Sequence, residues 1–166
     1  GAALNNCGFI STKDIDRDFA KPFAWMFGMS MLGVGVGFDT KGMGKVIIER
    51  PERSDESFLI KDSREGWAEA LTKLLHAYVG KDTLPGEWDY SQIRPKGAPI
   101  RSFGGVASGP APLQKMLETL EAIYDTYINK EVDAQLIVDT MNVTGRCVVS
   151  GGVRRTAQIA FGQKDD

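Results

Sequence analysis

Cysteine is nearly absent: the 166-residue chain has two, Cys7 and Cys147. Two thiols cannot make the disulfide framework of a small secreted scaffold, and a reducing compartment fits them better. Histidine is scarcer still, with His76 alone. Any Ser–His–Asp triad would have to use it, and no carboxylate or cysteine stands at metal-ligand spacing from it, so no metal site is expected. An excess of one charge sign is also missing. The 20 basic and 22 acidic side chains leave a net charge of −2, which supplies no basic field for a nucleic-acid backbone. No apolar run reaches the ~18 residues of a membrane span. The stretch from Phe23 to Val36 is interrupted by Gly28, Gly33 and Gly35 and reads as buried protein. No signal peptide is recognised, so a cytoplasmic chain is expected.

Glycine, by contrast, is plentiful and clustered. Gly33, Gly35 and Gly37 fall in "LGVGVGF", Gly104, Gly105 and Gly109 in "SFGGVASGP", and Gly151 and Gly152 in "SGGVRR". Such clusters mark tight turns or places where backbone approaches a ligand closely.

The periodicity predicts an α/β alternation. Asn6 to Ser11 reads as a short buried strand, Phe19 to Leu32 as a helix with Pro22 in its first turn, and "GVGVGFDT" as a strand. Lys45 to Glu49 and Phe58 to Ile60 read as further strands. Ser63 to Val79 is a helix, with Asp62 and Glu65 at capping-box spacing and Trp67, Leu71, Leu74 and Tyr78 on one face. Pro112 to about Asn129 is another helix, its apolar face running from Leu113 to Tyr127. A shorter one runs from Val132 to about Val143 and ends at Gly145. "CVVSGGVRRTAQIAF" then reads as strand, turn, strand, with Cys147 a buried strand residue.

Three constellations have chemical potential. "SGGVRRTA" places exposed backbone N–H groups beside guanidinium forks, a combination suited to phosphate or a nucleobase. It lacks the lysine and spacing of a Walker loop. "GAPIRSFGGVASGP" again sets an arginine beside glycines. "LGVGVGF" has GxGxG spacing with its helix before it rather than after, which excludes a dinucleotide fingerprint. Cys7 has no neighbouring His, Lys or CxxC partner to activate it, so its immediate neighbours favour a packed thiol.

The order of the motifs is more specific than any one of them. "NNCGFIST", "MFGMSMLGVGVGFDT", "GAPIRSFGGVASGP" and "CVVSGGVRRTAQIAFG" stand in the order found in ribonucleotide reductases, and the chain most resembles the adenosylcobalamin-dependent (class II) ribonucleoside triphosphate reductases. That resemblance covers nearly the whole chain. It implies a part of a ten-stranded α/β barrel spanning 1–166, with an excursion at about 42–96 that contributes to an allosteric effector site. In monomeric relatives an insertion of this kind replaces dimer contacts.

By the same resemblance Cys7 is the first of two redox cysteines that reduce the ribose 2′ position. Asn6 lines the ribose pocket, and Val34 and Gly35 are the small residues on which the nucleoside lies. Asp14 binds the deoxyribose of a deoxynucleoside triphosphate effector, Arg101 holds its phosphates, and Arg154, with Ser150 and Arg155 beside it, relays effector identity to the substrate base. The implied substrate is a ribonucleoside triphosphate, the implied cofactor adenosylcobalamin and the implied reductant thioredoxin-like. The radical cysteine, the second redox cysteine, and an asparagine and glutamate near the ribose come from later strands in this family. Eleven residues follow Arg155 and none is cysteine, so the chain is expected to be roughly the N-terminal half of the barrel and inactive alone. It would need the C-terminal part of the barrel as a partner, with self-association through exposed strand edges as a further possibility. A nucleotide-binding regulatory module without chemistry is the rival reading; nucleotide titration separates the two.

Overall fold

The structure, a computed structural model, describes residues 7–100 and 105–150. Two strand–helix–strand units come first. β1 (Cys7–Ile10) leads through α1 (Lys21–Met31) to β2 (Gly35–Phe38), and β3 (Ser57–Leu59) through α2 (Arg64–Ala77) to β4 (Glu87–Asp89). Each strand pair is parallel, the arrangement that a helical crossover permits. A short antiparallel pair follows, β5 (Pro99–Ile100) with β6 (Gly105–Val106). The chain then forms α3 (Ala111–Asp125) and α4 (Ala134–Ser150).

The core lies among the four helices. Phe23, Phe27, Leu71, Leu74, Tyr78, Leu117, Tyr124 and Ile137 are all withdrawn from solvent. Phe19 meets Tyr124 edge-on at 6.1 Å, and Tyr78 packs against Tyr124 at 5.4 Å, separations at which aromatic pairs attract. Tyr124 also shares a hydrogen bond with Thr140 at 2.8 Å, which joins α3 to α4 inside the core.

Helix starts follow the local chemistry. Pro22 and Pro112 sit in the first turns of α1 and α3, where a missing N–H costs nothing. The α2 cap departs from expectation. Ser63, not Asp62, is the N-cap: its backbone is extended and its hydroxyl accepts from the Gly66 N–H at 2.9 Å. Asp62 is drawn instead to the Arg94 guanidinium and backbone N–H.

Three further expectations are corrected. β1 is not buried among the described residues: its side chains alternate between exposed and half-buried. Lys45–Glu49 forms no strand, only a single bridge from Ile47 to Glu131. The helix expected to end at Gly145 continues to Ser150, so Cys147 is buried in a helix rather than a strand. The apolar spacing explains this. Val143, Thr144, Cys147 and Val148 extend the buried face begun by Leu136, Ile137, Thr140 and Met141, at i, i+3, i+4, i+7 spacing. A β-branched pair next to a glycine resembles a strand locally, but burial of this stripe against α3 and α1 wins. α3 ends sooner than its apolar pattern, at Asp125, and Asn129 adopts a left-handed conformation at φ 69°.

Candidate functional site around Cys7

β1 and β2 pair so that Cys7 lies opposite Gly35 and Phe9 opposite Gly37. Side chains alternate across a strand, and the two faces are distinguished by contact. A Cβ on Gly8 would lie 3.2 Å from the Trp25 ring and 3.9 Å from Val34, so Gly8 faces α1. Cys7 and Phe9 therefore project from the opposite face, beside Gly35 and Gly37. The Cys7 thiol is exposed. Beside it the sheet carries no side chain, because its cross-strand partner is glycine. Phe9 is 62% exposed on the same face, and its ring leans toward Gly37, 3.5 Å from where a Cβ would stand.

At the other end of β1 a polar clasp joins the two strands. Thr12, fully buried, donates its backbone N–H to Asp39 Oδ1 at 2.9 Å and its hydroxyl to the same oxygen at 3.0 Å. The Thr12 hydroxyl in turn accepts from the Gly42 N–H at 2.9 Å. Burial opposes the Asp39 charge, but hydrogen bonds from the Ser11 side chain, the Thr12 and Lys41 N–H groups and the Thr12 hydroxyl outweigh it and hold its carboxyl at about 2. Nothing in the sequence pattern signalled this clasp, since its two halves are 27 residues apart.

Asp14 is exposed in the turn after β1, and its carbonyl accepts from the Arg17 and Asp18 N–H groups. A four-residue strand spans roughly 10 Å, so Cys7 and Asp14 stand at opposite ends of β1. Helix α2 reaches this turn. His76 Nε2 is 3.4 Å from Asp18 Oδ1, a partner that the spacing of carboxylates along the chain does not reveal. Lys45 Nζ donates to the carbonyl of Lys13 in the same turn.

The structure thus brings Cys7 and Gly35 together and sets Asp14 apart from both. Val34 sits on the α1 side of the sheet, near Gly8. Ser150 is exposed at the last position of α4. Asn6, Arg101, Arg154 and Arg155 lie outside the described residues. Among the described residues no group of three or more His, Cys, Asp or Glu could hold a metal ion, and no helix is long and apolar enough to cross a membrane.

Comparison with known proteins follows the same lines. Residues 43–124 match the family "B12-dependent ribonucleotide reductase, insertion domain". The chain is 45% identical to a probable adenosylcobalamin-dependent ribonucleoside-triphosphate reductase of Dictyostelium discoideum, over 97% of this chain and 23% of the relative. It is 43% identical to the adenosylcobalamin-dependent ribonucleoside-triphosphate reductase of Euglena gracilis, over 99% of this chain and 23% of that protein. A crystal structure of a B12-dependent (class II) ribonucleotide reductase superposes with a TM-score of 0.72 at 25% identity, covering 88% of this chain and 28% of the other. The chain spans about a quarter of the length of these relatives.

Proposed function

The chain belongs to the adenosylcobalamin-dependent (class II) ribonucleotide reductases, and on that footing we propose that it is the N-terminal part of the catalytic barrel of such an enzyme. In its complete form the enzyme reduces ribonucleoside triphosphates to 2′-deoxyribonucleotides. β1 and β2 are then neighbouring strands of a ten-stranded α/β barrel, with Cys7 and Gly35 on its inner face.

The observation that carries this reading is the pairing of Cys7 with Gly35. An exposed thiol beside a residue without a side chain leaves room for a sugar against the backbone. Cys7 is one of two thiols that together deliver two electrons to the ribose. The 2′-hydroxyl leaves as water and the thiols become a disulfide, which a thioredoxin-like reductant reopens in a reducing cytoplasm. The second thiol belongs to the remainder of the enzyme. Asn6, Val34 and Gly35 shape the ribose pocket, and Ser150 and Arg154 stand between substrate base and effector. Asp14 and Arg101 hold a deoxynucleoside triphosphate effector. The excursion at about 42–96 shapes that effector site: its helix α2 contacts the Asp14 turn through His76 and Asp18.

Adenosylcobalamin, when bound to the complete enzyme, supplies the radical chemistry. Its cobalt is already held by the corrin ring, and we assign binding of the cofactor to the rest of the enzyme.

The test uses the complete enzyme with Cys7→Ser. Reduction of a ribonucleoside triphosphate with a dithiol reductant should fall to background while deoxynucleoside triphosphate binding persists. Wild-type turnover in this variant would refute the assignment.

A further inference from the structure

The strand that faces Cys7 is nearly blind to its own register. β2 runs Gly35-Val36-Gly37-Phe38 and is preceded by Gly33 and Val34, so glycine alternates with an apolar residue. On the Cys7 face both β2 partners are glycine. On the other face Ile10, Val36 and Phe38 pack against the core. A shift of β1 by two residues keeps every side chain on its own face. It would set Cys7 opposite Gly33, Gly8 opposite Val34, Phe9 opposite Gly35 and Ile10 opposite Val36. The partners are again glycine, apolar, glycine, apolar, and glycine-rich strands specify register weakly for this reason.

The clasp at the strand end tells the two registers apart. The Thr12 N–H and hydroxyl stand 2.9 and 3.0 Å from Asp39 Oδ1, which also accepts from the Lys41 N–H at 3.1 Å. The hydroxyl lies 3.1 Å from the Asp39 carbonyl oxygen and accepts from the Gly42 N–H at 2.9 Å. Thr12 and Gly42 are both buried. A two-residue shift carries β1 along by ~6.6 Å, about twice a hydrogen-bond length. The Thr12–Asp39 bonds cannot survive it, and buried polar groups that lose their partners are costly.

We propose that Thr12 and Asp39 are positioning residues for ribose reduction: their clasp locks β1 and β2 in the register that sets the Cys7 thiol beside the open space at Gly35. In the shifted register the Phe9 ring, and not the thiol, stands beside Gly35 and fills the place left for the sugar. The glycines that clear room for a substrate also remove the side chains that would otherwise fix the pairing, and the clasp restores what they remove. The catalytic part of this assignment rests on the reading of Cys7 as a ribose-reducing thiol; the locking of register does not.

Two measurements on the complete enzyme test it. Disulfide trapping in a Phe9→Cys, Gly35→Cys background reads the register, because the thiol at position 35 reaches Cys7 in one pairing and position 9 in the other. After mild oxidation, peptide mass spectrometry gives the ratio of the two links. The 7–35 link should dominate; adding Thr12→Val should raise the share of the 9–35 link roughly ten-fold, and Thr12→Ser, which keeps the hydroxyl, should restore the first ratio. Without the added cysteines, kcat/KM for a ribonucleoside triphosphate should fall roughly ten-fold in Thr12→Val and recover in Thr12→Ser, a rescue that loss of stability alone does not require. Asp39→Ala, at a half-buried position, is the second variant that breaks the clasp and should behave as Thr12→Val does. An unchanged link ratio in both variants overturns the lock, whatever their activity. A changed ratio with undiminished kcat/KM overturns the positioning role. If Cys7→Ser is active, the reductase reading falls, while the link ratio still decides the register.

Discussion

Cys7 and Gly35 face each other across two parallel strands, so the exposed thiol of the chain stands beside a position with no side chain. Cys147, in contrast, is 4% exposed within α4. The two thiols are therefore distinguished by burial, and their accessibility is a direct readout of the fold.

Alkylation should follow that difference. Iodoacetamide under native conditions is expected to modify Cys7 and spare Cys147, with both modified in denaturant; peptide mass spectrometry reads the sites. Native labelling of Cys147 ahead of Cys7 would contradict the burial of Cys147 in the core.

The Thr12–Asp39 clasp should make stability fall in acid. Asp39 titrates at about 2 in the fold against an ordinary 3.8, a depressed value. Its contribution is present above about pH 4 and is lost as pH falls through 2. Asp39→Asn should flatten the difference between urea midpoints measured at about pH 6 and about pH 2.5. Thr12→Val should cost about 1–3 kcal/mol, because it leaves the buried Gly42 N–H without its acceptor.

Two glycines should respond oppositely to alanine. A Cβ on buried Gly42 would run into the Thr12 carbonyl and lie 2.6 Å from Ile15 Cδ1, so Gly42→Ala should cost about 1–3 kcal/mol. Gly145 has no such neighbour, and Gly145→Ala should gain about 0.5–1 kcal/mol from helix propensity. Melting curves of the two variants make the comparison.

Alkali should destabilise the core. Tyr78 and Tyr124 are fully buried. Burial drives both phenols well above their ordinary 10.0, helped at Tyr78 by its hydrogen bond to Asp125 and opposed at Tyr124 by the bond to Thr140. Burial and Asp133 push Tyr127 up to about 12. The unfolded chain releases these protons near 10.0 while the fold retains them, so stability is full below about pH 10 and declines above it. Tyr78→Phe should shallow that decline in a pH series of urea midpoints; an unchanged slope would count against burial as its cause.

Much of this protein was legible in the linear sequence because the deciding interactions are local. Helical spacing from Trp67 to Tyr78 and from Leu113 to Tyr124 marked α2 and α3, the prolines marked two helix starts, and alternating glycines marked β2. The ordered motifs around Cys7, Gly35, Arg101 and Arg154 pointed to the family. Local preference misled where a longer-range term outweighed it. Val148 and Val149 favour a strand in isolation, but continuing the buried stripe of α4 against α1 and α3 stabilises a helix through Gly145. Asp62 has the right spacing for a cap, yet Arg94, 32 residues away, draws its carboxylate off. Tertiary structure alone decided which face of β1 Cys7 occupies, that Thr12 and Asp39 clasp the strand ends, and that His76 meets Asp18. Each depends on parallel pairing or helix packing between segments far apart in the chain, and no periodicity encodes a contact between two residues whose separation is set by a crossover.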